Sequence, residues 1–174
     1  AFDDRKATAG RVGFRWNSSP SYPRFALLPD PVRQQWDVRY DGWASIIELT
    51  TEFAHSFSDA TRIQTDAVFR VTDNDELPGS IPYLPDYEMR VLLGHRFPFG
   101  LHVESTMQLV GDRESTAGSP LTGWMLLGLE LEYRILASAA IFLRADNVLD
   151  QTYMEWDGYR TRPFFVMGGI ILRI

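Results

Sequence analysis

The sequence predicts an all-β fold, an antiparallel transmembrane β-barrel of about eight strands, closed on itself or part of a larger barrel. Three observations carry that expectation. Apolar and polar residues alternate with period two through most of the chain. Short connections alternate strictly with long ones rich in Pro, Gly, Ser, Asp or Asn. The polar face of the alternating stretches carries charges of both signs, and the apolar face gathers aromatics toward the strand ends.

The first strand is expected over residues 9 to 17, followed by a long loop at 18 to 32. The second, 33 to 57, shifts its outward parity from Trp36, Val38 and Tyr40 to Trp43, Ile47 and Leu49, which reads as a β-bulge near Asp41 and Gly42. A tight Asp-Gly hairpin there is the competing reading; it makes nine strands and puts the loop 18 to 32 on the turn side. Beyond the bulge, Ile47, Leu49 and Phe53 face away from Glu48 and Glu52.

SFSD, at 56 to 59, turns the chain into a strand over 60 to 72, where Ile63, Thr65, Ala67, Phe69 and Val71 oppose Arg62, Gln64, Asp66, Val68 and Arg70. A long loop, 73 to 85, leads to the strand 86 to 97, with Tyr87, Met89, Val91 and Leu93 against Glu88, Arg90, Leu92 and Gly94. FPFG, at 97 to 100, turns it into 100 to 112, with Leu101, Val103, Met107 and Leu109 against His102, Glu104 and Gln108. After the loop 112 to 121 comes the cleanest case, 122 to 135: Met125, Leu127, Leu129, Leu131 and Tyr133 against Gly128, Glu130, Glu132 and Arg134. A helix would scatter those leucines and glutamates over mixed faces. ILAS, at 135 to 138, opens the strand 138 to 149, and a loop at 150 to 160 precedes the last strand, 161 to 174.

Alternation does not by itself decide which face meets lipid, since soluble barrels and sandwiches alternate too. Here Glu48, Glu52, Asp66, Arg70, Arg90, Glu130, Glu132 and Arg134 form a mixed-sign face suited to a wet lumen. Phe57, Phe97, Phe99 and Tyr133 near the short turns, with Trp43, Tyr87, Trp124 and Phe164 near the long loops, read as two interfacial girdles on the apolar face. A soluble all-β domain with rim aromatics is the rival.

Composition narrows the function classes. The 174 residues suit one domain, read as a single barrel or barrel segment over 1 to 174, and 45% hydrophobic residues with a net charge of -6 place it among ordered chains. The absence of cysteine removes disulfides, thiolate metal sites and thiol nucleophiles. No apolar run approaches the length of a membrane helix. A mild acidic excess with a single lysine, Lys6, speaks against a nucleic-acid partner. The opening AFDDRKA has neither Met nor a signal run and reads as a mature product or cleaved piece. His55, His95 and His102 lie on different strands without a second ligand at metal spacing, so no metal and no cofactor is expected. Alternation separates Ser105 from His102 and Glu104, so no catalytic residues are assigned. The loop aromatics Tyr153, Trp156 and Tyr159 are candidates for ligand contact.

The stretch FLRADNVLDQTYMEWDGYRTRPFFVMGGIILRI, residues 142 to 174, resembles the last hairpin of TonB-dependent receptors, in which a D/E-N-L-x-D-x-x-Y motif precedes a loop, a turn and the closing strand. The matching positions are Asp146, Asn147, Asp150, Tyr153, Gly158 and Tyr159. Leu84 and Pro85, FPFGLHVESTMQLVGDRES and LTGWMLLGLELEYRI are similar to the three preceding strands, so the resemblance covers about residues 81 to 174, and the first eighty by rhythm alone. The run Arg160, Thr161, Arg162, Pro163 departs from the family's Pro-Gly-Arg turn, and Ile174 stands where a terminal Phe is usual.

The resemblance implies the C-terminal part of an outer-membrane barrel of about twenty-two strands. It implies uptake of a scarce nutrient, of the ferric siderophore or cobalamin type, in the outer membrane of a Gram-negative bacterium. The partners implied are outer-membrane lipid, a small-molecule ligand and the TonB energising complex, the last reached through N-terminal parts; no plug domain is recognised in these residues. Two other functions stay open: a small eight-stranded barrel with a structural or adhesive role, and a lipid-modifying outer-membrane enzyme.

Overall fold

A computed structural model describes residues 7–27, 36–75 and 81–172. Among these residues eight strands form one sheet in chain order: β1 (Thr8–Leu27), β2 (Trp36–Ser56), β3 (Thr61–Asn74), β4 (Tyr87–Arg96), β5 (Leu101–Val110), β8 (Trp124–Leu136), β9 (Ala139–Asp146) and β12 (Phe165–Leu172). Each is antiparallel to the next. Two hairpins rise from the long loops: β6 (Arg113–Glu114) with β7 (Pro120–Leu121), and β10 (Met154–Trp156) with β11 (Tyr159–Arg160). These short pieces were not expected from the sequence, being too short to show a period.

β2 runs unbroken through Asp41 and Gly42, which excludes the nine-strand hairpin. The ladder steps from Ser19↔Ala44 to Tyr22↔Gly42 and then to Arg24↔Arg39, so β1 carries an extra residue first and β2 carries the compensating one beside Asp41. β1 itself continues to Leu27, ten residues past the expected end at 17, and this corrects the loop expected at 18 to 32. Its partner explains why: the first half of β2 offers a free ladder, down to Leu27↔Trp36. Pro20 and Pro23 fall within the two register shifts of a strand at the sheet's end, where a missing N–H breaks no pairing.

The other strands lie where expected, with shifts at their ends. β9 stops at Asp146 instead of 149, and β12 begins at Phe165 instead of 161. Ile174 lies outside the described residues. The short turns are residues 57–60, 97–100 and 137–138. In the second, the Gly100 N–H donates to the Phe97 carbonyl at 3.1 Å with φ +91°, a conformation in which a Cβ is strained.

Directly opposed residues share a face. One row reads Phe14, Leu49, Phe69, Tyr87, another Ile63, Leu93, Ser105, Leu129, Ala145, Val166. The alternate rows include Arg11, Glu52, Asp66, Arg90, Gln108. The large exposed hydrophobics lie mostly on the first face, whereas four clefts open onto the second, so the polar face is the hollow one. A soluble barrel would be arranged the other way round. An uncovered apolar outside with a charged hollow inside is the wall of a barrel that lives in lipid.

Trp124 departs from the pattern. Expected in the outer girdle, it lies on the polar face, opposite Val110, and is buried. Trp43, Tyr87 and Phe164 are exposed near the long loops, as are Phe57, Phe97, Phe99 and Tyr133 near the turns. His55 and His95 sit in the latter band, each against a threonine hydroxyl at 2.7 Å (Thr8 and Thr61) and edge-on to Phe57 and Phe97.

Among the described residues the sheet does not close on itself. β1 and β12 stand at opposite ends of the sheet, and Val12 and Ile170 are 74% and 70% exposed.

Candidate functional site

The eight charged residues selected from the sequence are brought onto the one hollow face by the register. Glu48 faces Arg70; Glu52 faces Asp66, which faces Arg90; Glu130 faces Arg144; Glu132 faces Phe142; Arg134 faces Ala140. They do not form one network. The tightest group centres on Arg70, whose Nε donates to Glu48 at 3.0 Å and whose Nη1 donates to Glu88 at 2.7 Å and to the Pro85 carbonyl at 3.2 Å. Arg15 reaches the other Glu48 oxygen at 3.4 Å, and Arg11 approaches Glu52 at 3.7 Å.

Farther along the sheet the balance tips toward acid. Glu104 and Glu130 are directly opposed, with His102 at 4.0 Å from Glu104. Arg144 faces Glu130 across the ladder, and its Nε donates to Asp146 at 3.0 Å. Glu104, Glu130, Arg144 and Asp146 line, with Arg90 and Gln108, a cleft of 410 Å³, and His102 lies in a neighbouring one. Arg11, Arg15, Glu88, His102, Glu104, Arg144 and Asp146 were absent from the sequence selection, although the same alternation assigns them to this face. Ser105 lies on the outer face, in the row of Leu129.

The long-loop end is held by residues of the motif that carried the resemblance. Asn147 is buried at φ +50°; its amide nitrogen donates to the carbonyls of Gln151 (2.9 Å) and Arg162 (3.3 Å), and its side-chain oxygen accepts from the Gln151 N–H at 3.0 Å. Asp150 accepts from the Phe164 N–H at 2.9 Å. The Tyr153 carbonyl accepts from the Thr161 hydroxyl at 2.9 Å. The two chain directions of the loop are thus laced together, with the β10–β11 hairpin between them. Asn147→Ala is expected to loosen this loop by about 1 to 3 kcal/mol, since it strands buried groups and places a Cβ without a hydrogen-bonding tip at positive φ. Hydrogen exchange at residues 148 to 163 measures it; unchanged protection would refute the clamp.

Of the three loop aromatics, Tyr153 and Trp156 line one cleft, and Tyr159, 74% exposed, stays outside it. Tyr153 packs on Trp124 at 4.6 Å between ring centres, and Trp156 on Tyr83 at 4.7 Å. Tyr83 and Arg113 complete the walls. Nothing in the sequence marked those two, because loop residues carry no period.

No protein-family model matches the chain, and neither does any curated protein. Solved structures do resemble it. The ferric-catecholate import receptor Fiu from K12 E. coli superposes with a TM-score of 0.72 at 14% identity, covering 98% of this chain and 26% of the receptor. The copper transporter OprC gives 0.78 at 11% identity, covering 95% of this chain and 28% of the transporter. The pyoverdine outer membrane receptor FpvA from Pseudomonas aeruginosa PAO1 gives 0.72 at 14% identity, covering the whole of this chain and 28% of the receptor. The likeness is one of fold, and the chain spans about a quarter of the length of each.

Proposed function

We propose that this chain is the C-terminal wall of an outer-membrane transport barrel of the TonB-dependent receptor type, in a Gram-negative bacterium. The observation that carries the reading is the inverted sheet, apolar outside, charged and hollow inside, in which β1 and β12 are left as edges among the described residues. Free edges inside a bilayer are costly, so β1 and β12 call for further strands of a larger barrel. The receptors and transporters of similar fold, each about four times as long, support that completion. Their substrates, ferric catecholate, copper and pyoverdine, favour a scarce, metal-linked small nutrient. The family resemblance at Asp146, Asn147, Asp150 and Tyr153 adds an energising partner of the TonB type, acting through N-terminal parts.

A small structural or adhesive barrel accounts less well for the sheet, since it needs closure of the eight strands. A lipid-modifying enzyme built on His102, Glu104 and Ser105 is opposed by Ser105 facing outward.

Uptake into vesicles tests the proposal. The protein carrying this chain, with its plug and the energising complex, should accumulate a ferric siderophore or a cobalamin; the chain of residues 1 to 174 alone should not. Energised uptake by the chain alone would overturn the division of labour, and absence of uptake by the complete protein across that ligand panel would overturn the substrate class.

A further inference from the structure

We propose that the cleft under the β10–β11 hairpin binds a planar ligand group bearing an anionic oxygen, received by Arg113 and Trp124. The inference rests on the transport reading and deepens it by naming a ligand class.

The cleft measures 360 Å³, room for one or two rings rather than a whole large ligand, and its walls are aromatic: Tyr83, Trp124, Tyr153 and Trp156. Arg113 and Trp124 are each only 8% exposed. One guanidinium nitrogen of Arg113 donates to the Met154 carbonyl, while Nη1 of Arg113 and Nε1 of Trp124 are buried with no hydrogen-bond partner among the described residues. Buried donors without acceptors are rare in folded proteins, and here two occur on the walls of one cleft. Two carboxylates also line the cleft: Glu88, which is held by Arg70 at 2.7 Å, and Glu155. Glu155, on the hairpin, is exposed.

The backbone adds an independent sign. Tyr83 holds φ +62°, unusual for an aromatic residue, and its N–H donates to the Glu114 carbonyl at 2.7 Å. That contact ties the loop before β4 to the β6–β7 hairpin and sets the Tyr83 ring against Trp156.

Two N–H donors, one of them cationic, select an acceptor oxygen with negative charge, and aromatic walls select a flat partner. Water would satisfy the donors but leave the rings unfilled. Because both nitrogens are sealed from solvent, the ligand enters as the hairpin tilts outward. Arg113 then exchanges the Met154 carbonyl for the incoming anion.

The test uses the protein carrying this chain in lipid nanodiscs, with coumarin-3-carboxylate and its neutral analogue coumarin-3-carboxamide as probes. Binding is read by probe anisotropy against empty discs. The carboxylate should bind about tenfold tighter than the amide, the difference between a charge-assisted and a neutral hydrogen bond. Arg113→Gln should abolish that preference, Trp124→Phe should weaken the carboxylate, and Glu155→Gln, on the exposed rim, should tighten it. Equal affinity of the two probes for the unaltered protein overturns the proposal, as does a preference that survives in Arg113→Gln. Should Arg113→Gln not fold, the probe preference of the unaltered protein and the Glu155→Gln response decide. Loss of the anion preference leaves the uptake reading standing, and failed uptake leaves this binding result intact.

Discussion

Arginine at Leu129 is expected to lower stability in lipid vesicles by about 2 to 4 kcal/mol, the cost of a guanidinium at the lipid-facing middle of a barrel strand. Arginine one residue on, at Glu130, should change it by less than about 1 kcal/mol. The two positions are neighbours on β8 and differ in face. Leu129 lies in the row of Leu93, Ser105 and Ala145 and is 37% exposed on the apolar side. Glu130 lies in the cleft between Glu104 and Arg144, where a new cation gains one neighbour and repels the other. Denaturant titrations of folding into vesicles measure both. Equal penalties, or cooperative folding in plain buffer, would mean that water and not lipid touches the outer face.

That contrast was legible in the sequence because period two is enforced wherever two faces meet different solvents. From Trp43 onward each strand of the main sheet was found, and the Asp41–Gly42 bulge was visible as a parity change. Where structure and sequence expectation part, the neighbouring strand decides against local composition. Pro20 and Pro23 spoke for a loop, yet β1 is a terminal strand and tolerates them. Trp124 was placed in the girdle because it is aromatic and near a loop, although its parity relative to Met125 already put it on the other face. Ends such as Asp146 were set by side-chain capping at Asn147, which has no period.

The site was legible as a face and not as contacts. Alternation says that Glu48, Arg70 and Glu88 point the same way, but which of them touch depends on register, which a period of two does not give. The aromatic cleft was half visible, through Tyr153 and Trp156. Arg113 and Tyr83 enter it from hairpins and loops held by local hydrogen bonds, such as the Ser115 hydroxyl accepting the Ser119 N–H at 3.1 Å. Closure was undecidable from a strand count, since eight strands can make a small barrel or a third of a large one.

Arg70 carries the other large effect. Arg70→Gln is expected to destabilise the protein by about 2 to 3 kcal/mol, somewhat below the range for breaking a fully buried ion pair because Glu88 is partly open to water. The Arg70 and Glu48 side chains are 11% and 17% exposed, and Glu88 43%. One guanidinium satisfies carboxylates on β2 and β4 and the Pro85 carbonyl that leads into β4, so its loss leaves three acceptors facing one another. Arg15, 75% exposed and 3.4 Å from Glu48, can compensate only in part. Adding Glu48→Gln to Arg70→Gln should therefore recover stability, although Glu48→Gln alone costs some. The double-mutant cycle must be non-additive, because the second change removes the charge that the first left unpaired. Additive effects, or an Arg70→Gln variant within about 0.5 kcal/mol of the parent, would show that water in the hollow screens these charges fully and that the pair does not hold β2, β3 and β4 together.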